Sequence, residues 1–194
     1  MSKILFFDIE TTGLDNQKNG IHQLACIVDI DGKEAERFNL KLKPFKDDVI
    51  EEQALAIGNV TYEQITGPDY LEPTYQKNKL CDILKKYVDK FDKLDKMHLA
   101  GYNNASFDNQ FLRRLFEKCG DNYFGSWFWS DSIDVMVLSS YKFQNKRSQM
   151  PNFKLGTVAQ YSGIKVQDDG LHDALYDIEL TRKIYYKLMF NKEV

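Results

Sequence analysis

The sequence predicts an α/β layer fold built on one mixed sheet, and three observations carry that prediction. Residues 3–8 are apolar on both faces of a period-two pattern, the mark of a central strand covered on both sides. Two further strand patterns flank Asp31-Gly32, a hairpin signal, so the sheet begins as an antiparallel meander. From residue 74 onward, strand patterns alternate with helical ones, which brings parallel pairing and helices on the sheet faces.

Taken in chain order, Ile4, Phe6, Asp8 and Glu10 share one face of the first strand, while Leu5, Phe7 and Ile9 share the other. Thr12-Gly13-Leu14 then breaks it. The hairpin strands are expected over 21–30 and 34–42. Residues 44–73 contain short helical patches at 51–56 and 61–65 and read as a connection across the sheet edge. Over 74–96, Leu80, Ile83, Leu84, Tyr87, Val88, Phe91 and Leu94 follow helical spacing with Lys and Asp opposite, which predicts one amphipathic crossover helix. A short strand is expected over 98–102, a helix over 107–118, a strand or short helix over 131–138 and a polar, basic loop over 142–152. Helices over 154–162 and 173–190 complete the pattern. No internal repeat, low-complexity tract or Gly/Ser linker divides the chain, so 1–194 reads as a single domain.

Composition narrows the function classes. With 43% hydrophobic and 13% aromatic residues, the 194-residue chain has too much burial-seeking surface to be disordered. A balance of 26 basic and 29 acidic residues, net −3, excludes a sequence-wide cationic field for holding long nucleic acid. No stretch approaches the roughly 18 apolar residues of a membrane span, and Asp8 arrives too early for a signal peptide, so a soluble, cytoplasmic protein with no membrane partner is expected. Cys26, Cys81 and Cys119 are odd in number and far apart, which argues against disulfides or structural zinc and for three small buried apolar side chains.

The informative residues are acids in apolar positions. Asp8 and Glu10 stand two apart on one strand face, so both carboxylates point the same way, within reach of a common cation. Asp108 falls on the apolar stripe of its helix with Phe111, Leu112 and Leu115. Ser106 would cap that helix, and an acid in the first turn is favoured by the helix dipole, yet the dipole gives no reason to choose the apolar side. Asp177 lies in an inward stripe with Ala174, Thr181, Ile184 and Leu188, where a carboxylate must be paired or bind metal. His172 precedes that helix on its loop side, able to approach a ligand from another direction. Hard oxygens without Cys or clustered His select Mg²⁺ or Mn²⁺, and four carboxylates around two such ions is the arrangement of two-metal phosphoryl chemistry.

Three segments carrying these residues, Phe7-Asp8-Ile9-Glu10-Thr11-Thr12-Gly13-Leu14, Tyr102-Asn103-Asn104-Ala105-Ser106-Phe107-Asp108 and His172-Asp173-Ala174-Leu175-Tyr176-Asp177, resemble the exonuclease motifs of the DnaQ-like DEDDh family. Ile57-Gly58-Asn59-Val60-Thr61 resembles, more loosely, the family's His-Gly-Ile-Thr-type segment. The resemblance implies an RNase H-like fold with a mixed five-stranded sheet, and release of nucleoside monophosphates from 3′ ends. It implies that Asp8, Glu10, Asp108 and Asp177 hold two Mg²⁺ or Mn²⁺ ions and that His172 is the general base. It also implies that Thr11, Thr12, Gly13 and Leu14 receive the terminal nucleotide, with Asn104 and Phe107 on the opposite wall.

Single-stranded DNA ends are the favoured substrate, since Glu10-Thr11-Thr12-Gly13-Leu14 resembles the proofreading branch typified by the epsilon subunit of DNA polymerase III. The alternatives are RNA 3′ ends, as for RNase T or oligoribonuclease, and an idle nucleic-acid-binding module accessory to a polymerase. Asp134 is expected to support the site rather than ligate metal, and the same is expected of Asp131. His22 and His98 read as ordinary. Lys142, Lys146, Arg147 and Lys154, among Tyr141, Phe143 and Phe153, read as a solvated loop that can also contact a strand. The chain ends shortly after Asp177, which leads to the expectation of a free-standing domain or a subunit docked by its surface, with a DNA polymerase as possible partner. With the four site acids set aside, 25 others remain against 26 basic residues, so the apparent acidity belongs to the site, and capture is expected to rely on a local pocket for one 3′ end.

Overall fold

The computed structural model of the protein describes residues 1–167 and 173–194. Its centre is a five-stranded sheet of β1 (Lys3–Thr11), β2 (Ile21–Ile30), β3 (Lys33–Lys41), β4 (His98–Gly101) and β5 (Ile133–Asp134), in the spatial order β3-β2-β1-β4-β5. The first three strands form the expected antiparallel meander, and β1–β4 and β4–β5 pair in parallel. Asp31 and Gly32 both adopt positive φ, 52° and 80°, so the β2–β3 turn has the twist that matches its strands. β1 runs three residues further than the pattern over 3–8, because its edge toward β2 stays paired through Thr11.

The two faces of β1 are buried as its alternation requires. Leu5, Phe7 and Ile9 enter a core with residues of α3 (Pro73–Leu84) and α4 (Asp108–Lys118). Ile4 and Phe6 pack against Ala174, Ile178 and Tyr186 of α7 (Ala174–Phe190). α5 (Val135–Phe143) and α6 (Leu155–Tyr161) close the outer side of α7. Residues 44–73 contain α1 (Glu52–Ile57) and α2 (Tyr62–Thr66), with a small cluster of Leu55, Ile65 and Tyr70 beneath them.

One buried ion pair ties α7 to the hairpin. Asp29 on β2 and Arg182 on α7 are 1% and 7% exposed. The guanidinium donates to Asp29 from Nε at 2.8 Å and Nη2 at 2.7 Å, while the Tyr186 hydroxyl and the Gly32 amide donate to the other carboxylate oxygen, each at 2.9 Å.

Several expectations need correction. The single helix over 74–96 stops at Leu84, and Phe91 and Leu94 are 85% and 82% exposed. Asp89, Asp92 and Asp95 side chains accept the backbone amides of Phe91, Leu94 and Asp89, offering the chain turns in place of helical bonds. The basic loop over 142–152 begins as the last turn of α5, with Phe143 in the core, and contains a short 3₁₀ turn, Arg147–Gln149. Residues 131–138 divide at Asp134, which ends β5 and caps α5 by accepting the amides of Met136 and Val137. Ser106 does not cap α4: its hydroxyl donates to Asn103, and Phe107 occupies the cap position. Cys26 and Cys81 are buried as expected, whereas Cys119 is only partly so. Among the described residues, no helix is long and apolar enough to cross a membrane.

Candidate active site

The acids converge at the C-terminal end of β1, the central strand. Asp8 and Glu10 emerge from the Ile4/Phe6 face of β1 where the apolar cover ends, and both side chains remain partly open to solvent. Asp108 is the first residue of α4, 5% exposed, and its carboxylate accepts the backbone amides of Ile9 and of Asp108 itself, so it is stitched to β1 between the other two acids. Asp177 lies in the first turn of α7, half-buried, on the helix that covers the same face of β1. Thus the strand, the helix start and the last helix are brought together. His172 lies outside the described residues.

Electrostatics confirm the proximity. The Asp8 carboxyl is pushed well above its ordinary value, first by burial and then by the charges of Asp108, Glu10, Asp177 and Asp173. Glu10 is raised to about 7 by burial and by Asp177, Asp108 and Asp173. Asp108 is raised to about 7, chiefly by burial, against its two amide bonds. Among the described residues, no cation figures in the influences on these three groups. Like charges this close together, all offering hard oxygens and with no counter-ion among the described residues, fit a divalent Mg²⁺ or Mn²⁺. Among the described residues, no three acidic, His or Cys side chains stand at metal-holding spacing. Asp173 is an acid the motif reading passed over: it caps α7 through the amides of Leu175 and Tyr176 and adds its charge to the same field.

The loop after β1 is built differently from its expected role. Thr12 is fully buried, with its hydroxyl donating to the Val49 carbonyl at 2.7 Å and accepting the Gly20 amide at 2.9 Å. Thr11 donates to the Gly13 carbonyl at 2.8 Å. Both hydroxyls therefore hold the loop in shape. Asn19, 4% exposed, donates to Val49 and Glu51 and accepts the Asp15 amide, and it packs so closely on Gly13 that a Cβ there would lie 2.3 Å from its Nδ2. Gly13→Ala should displace Asn19 and lower stability by about 1–3 kcal/mol, measurable by chemical denaturation. Leu14, 82% exposed, is the loop residue free to pack on a ligand. Asn104 is fully buried and bonds Asn109, supporting the start of α4 rather than lining an open wall, while Phe107 is half-buried and stacks on Phe111 with ring centroids 4.9 Å apart.

Neighbouring residues divide into supports and bystanders. Asp134, 9% exposed, accepts the Asn103 and Ala105 amides as well as capping α5, so it braces the loop that presents Asp108. Asp131 is exposed, 3.9 Å from His98, at the far edge of β4. Gly58, at the end of α1, lies beside both the Glu10 carboxylate and the His22 ring, which puts the loosely matching segment at the site. His22 departs from the expectation of an ordinary residue: it is 1% exposed at the β2 irregularity opposite Glu10 and Thr11, and neither ring nitrogen has a partner among the described residues. Burial lowers it from 6.5 to about 4. The unfolded chain therefore takes a proton that the folded one refuses, and stability is lost as pH falls from about 6.5 to about 4. His22→Leu should remove that acid-side loss, as seen in melting temperatures across the window.

Comparison with known proteins agrees with this geometry. Residues 5–185 match the family RNase_T, described as Exonuclease. The chain is 26% identical over 190 residues to Exonuclease DPD1, chloroplastic/mitochondrial, of Arabidopsis thaliana, covering 95% of this chain and 55% of that protein. It is 27% identical over 183 residues to DNA polymerase III PolC-type of Staphylococcus haemolyticus, covering 94% and 11%. Its fold resembles the crystal structure of Escherichia coli Exonuclease I in complex with a dT13 oligonucleotide, with TM-score 0.74, 21% identity and coverage of 96% and 41%. The chain thus spans about half, a tenth and two-fifths of these three proteins. With motif order, sheet topology and a family match across most of its length in agreement, the chain belongs to the RNase_T exonuclease family.

Proposed function

We propose that the protein is a metal-dependent 3′-to-5′ exonuclease that releases nucleoside monophosphates from single-stranded DNA ends. The observation that carries this reading is the gathering of Asp8, Glu10, Asp108 and Asp177 at one strand end, close enough that Asp108 and Asp177 raise Asp8 and Glu10. The four carboxylates would hold two Mg²⁺ or Mn²⁺ ions. When bound, those ions supply a lowered pKa for the attacking water and neutralise charge on the leaving oxygen. Asp108, fixed by its amide bonds to β1, sets the position of the set, and Asp134 braces the loop behind it. His172 is proposed to take the proton of the attacking water, and Leu14 to pack on the terminal base.

The likeness to a PolC-type DNA polymerase and to an exonuclease solved with a dT13 oligonucleotide supports DNA as the strand and a polymerase as candidate partner. The deciding experiment is degradation of 5′-labelled single-stranded DNA, duplex DNA and RNA with Mg²⁺, Mn²⁺ or chelator. A ladder shortening from the 3′ end, lost with chelator and in Asp8→Ala, is expected on single-stranded DNA. Preference for RNA would move the substrate to ribonucleotide ends; no nucleotide release from any strand would leave an accessory binding module.

A further inference from the structure

A second feature lies on α4, one residue beyond Asp108. A cleft of about 360 Å³ opens between the outer face of that helix, the loop after β1 and the segment around Trp129, within the roughly 300–1,000 Å³ typical of small-ligand sites. Asn16 on the loop donates to Gln110 on the helix at 2.7 Å, so one wall of the cleft is joined to the loop that carries Leu14. Asn109 follows Asp108 directly and lines the cleft, its Oδ1 accepting from the Asn104 side chain at 3.0 Å. Arg114 is engaged by Glu117 at 3.2 Å. Arg113 has no acid partner among the described residues; its guanidinium carbon lies over the Phe124 ring, 4.6 Å from the centroid.

We propose that this cleft holds a nucleotide of the substrate strand on the 5′ side of the bond being cut, with Arg113 on its phosphate and Trp129 beside its base. The proposal rests on the exonuclease reading of the carboxylates. Guanidinium, amide and indole are the groups that hold, respectively, a phosphate, a base edge and a base face. An Arg lying on an aromatic ring is already ordered, so little side-chain entropy is lost when a phosphate arrives. A protein with net charge −3 has no general attraction for a polyanion, which makes a cation without an acid partner among the described residues, on the helix that begins at Asp108, matter more. The cleft would make longer strands better substrates than dinucleotides, which end before reaching it.

The test uses a fluorescein-labelled single-stranded DNA dodecamer with chelator present, its binding read by anisotropy over a salt series, and separately kcat/KM for the dodecamer and a dinucleotide with Mn²⁺. Arg113→Ala should weaken dodecamer binding about tenfold and reduce the slope of log affinity against log salt by about 0.7, the loss of one phosphate contact on a single strand. The dodecamer-to-dinucleotide ratio of kcat/KM should fall by a similar factor, and Arg113→Lys should recover part of both. Arg113 is exposed, and an unchanged melting temperature checks that the fold is kept. Dodecamer binding and salt slope equal to the parent's in Arg113→Ala would overturn the cleft while leaving the exonuclease reading intact. Arg113-dependent binding by a parent that releases no nucleotide would do the reverse.

Discussion

Asp8→Asn should abolish nucleotide release, by about 10³-fold or more in kcat/KM, while raising the melting temperature of the metal-free protein at neutral to alkaline pH. Both effects come from one cause. The folded protein disfavours the Asp8 carboxylate through burial and then through Asp108, Glu10, Asp177 and Asp173, so the ionised site is a standing cost to the fold. The sign follows from the raised values. Glu10 moves from 4.5 to about 7 and Asp108 from 3.8 to about 7, so between about pH 4 and 7 the folded state keeps protons that the unfolded chain has released. Their favourable contribution is complete below the unfolded values and is lost as pH rises through about 7. His22 acts in the opposite direction between about 6.5 and 4, so the acids are best read in a His22→Leu background.

A bound divalent ion replaces those protons with a counter-charge. Mn²⁺ at about 100 times its Kd should therefore stabilise the parent by about 2.7 kcal/mol at alkaline pH and by much less under acidic conditions. Asp8→Asn should flatten the pH dependence and shrink the Mn²⁺ gain. His172→Ala should separate the roles by keeping the Mn²⁺ gain and losing roughly 10²–10⁴ in rate. Calorimetry with and without Mn²⁺ at two pH values decides the matter: a parent whose melting temperature ignores both pH and Mn²⁺ would remove the metal site from the account.

Asp29→Ala should be the most destabilising change outside the site, by about 3–5 kcal/mol, because it leaves the buried Arg182 guanidinium without its carboxylate. It also orphans the Tyr186 hydroxyl and the Gly32 amide, which share the other oxygen. For a chain of this length, at about 2–4 °C per kcal/mol, the melting temperature should fall by roughly 6–20 °C. The pair joins the β2–β3 hairpin to α7, the helix that carries Asp177, so metal-dependent stabilisation should weaken along with the fold. Asp29→Leu with Arg182→Met should recover much of the loss, since a buried ion pair replaced whole by apolar groups leaves no unpaired charge. A drop below about 2 °C in Asp29→Ala would show that the hairpin and α7 are held together by their apolar contacts alone.

Residues whose roles are set by local pattern were readable before any coordinates. The alternation through Ile4–Glu10, the Asp31-Gly32 turn and the stripe on α7 each record a choice made over a few residues, and the structure keeps all three. Asp8, Glu10, Asp108 and Asp177 stood out because a carboxylate in an apolar register needs a reason, and their gathering supplies it. The burial of Thr12, Asn104 and His22 was not legible, because no local pattern announces it: the Thr12 partner is distant in sequence, Asn104 bonds Asn109 beneath the loop, and the His22 ring nitrogens have no partner among the described residues. The Thr12 hydroxyl is taken by Val49, 37 residues away, so a side chain that looked available to a ligand is spent on the loop. His22 sits at a strand irregularity that no spacing rule announces, and its burial follows from β1 pairing on one side and the α1 end on the other.

The sequence by itself determined the mixed α/β class, the meander, the acid constellation and the family, because periodicity and contiguous motifs are local properties of the chain. Only the tertiary structure decided that the helix from Pro73 ends at Leu84, that Asn19 and not a ligand crowds Gly13, and that Asp29 and Arg182 meet across 153 residues. It also set Arg113 over the Phe124 ring in a cleft along α4, with no acid partner among the described residues. The crowding of Gly13 and the Asp29–Arg182 pair depend on which distant group fills a given space or satisfies a given buried polar atom, while the helix end is a competition between helical bonds and local Asp turns; both are settled only when the chain packs.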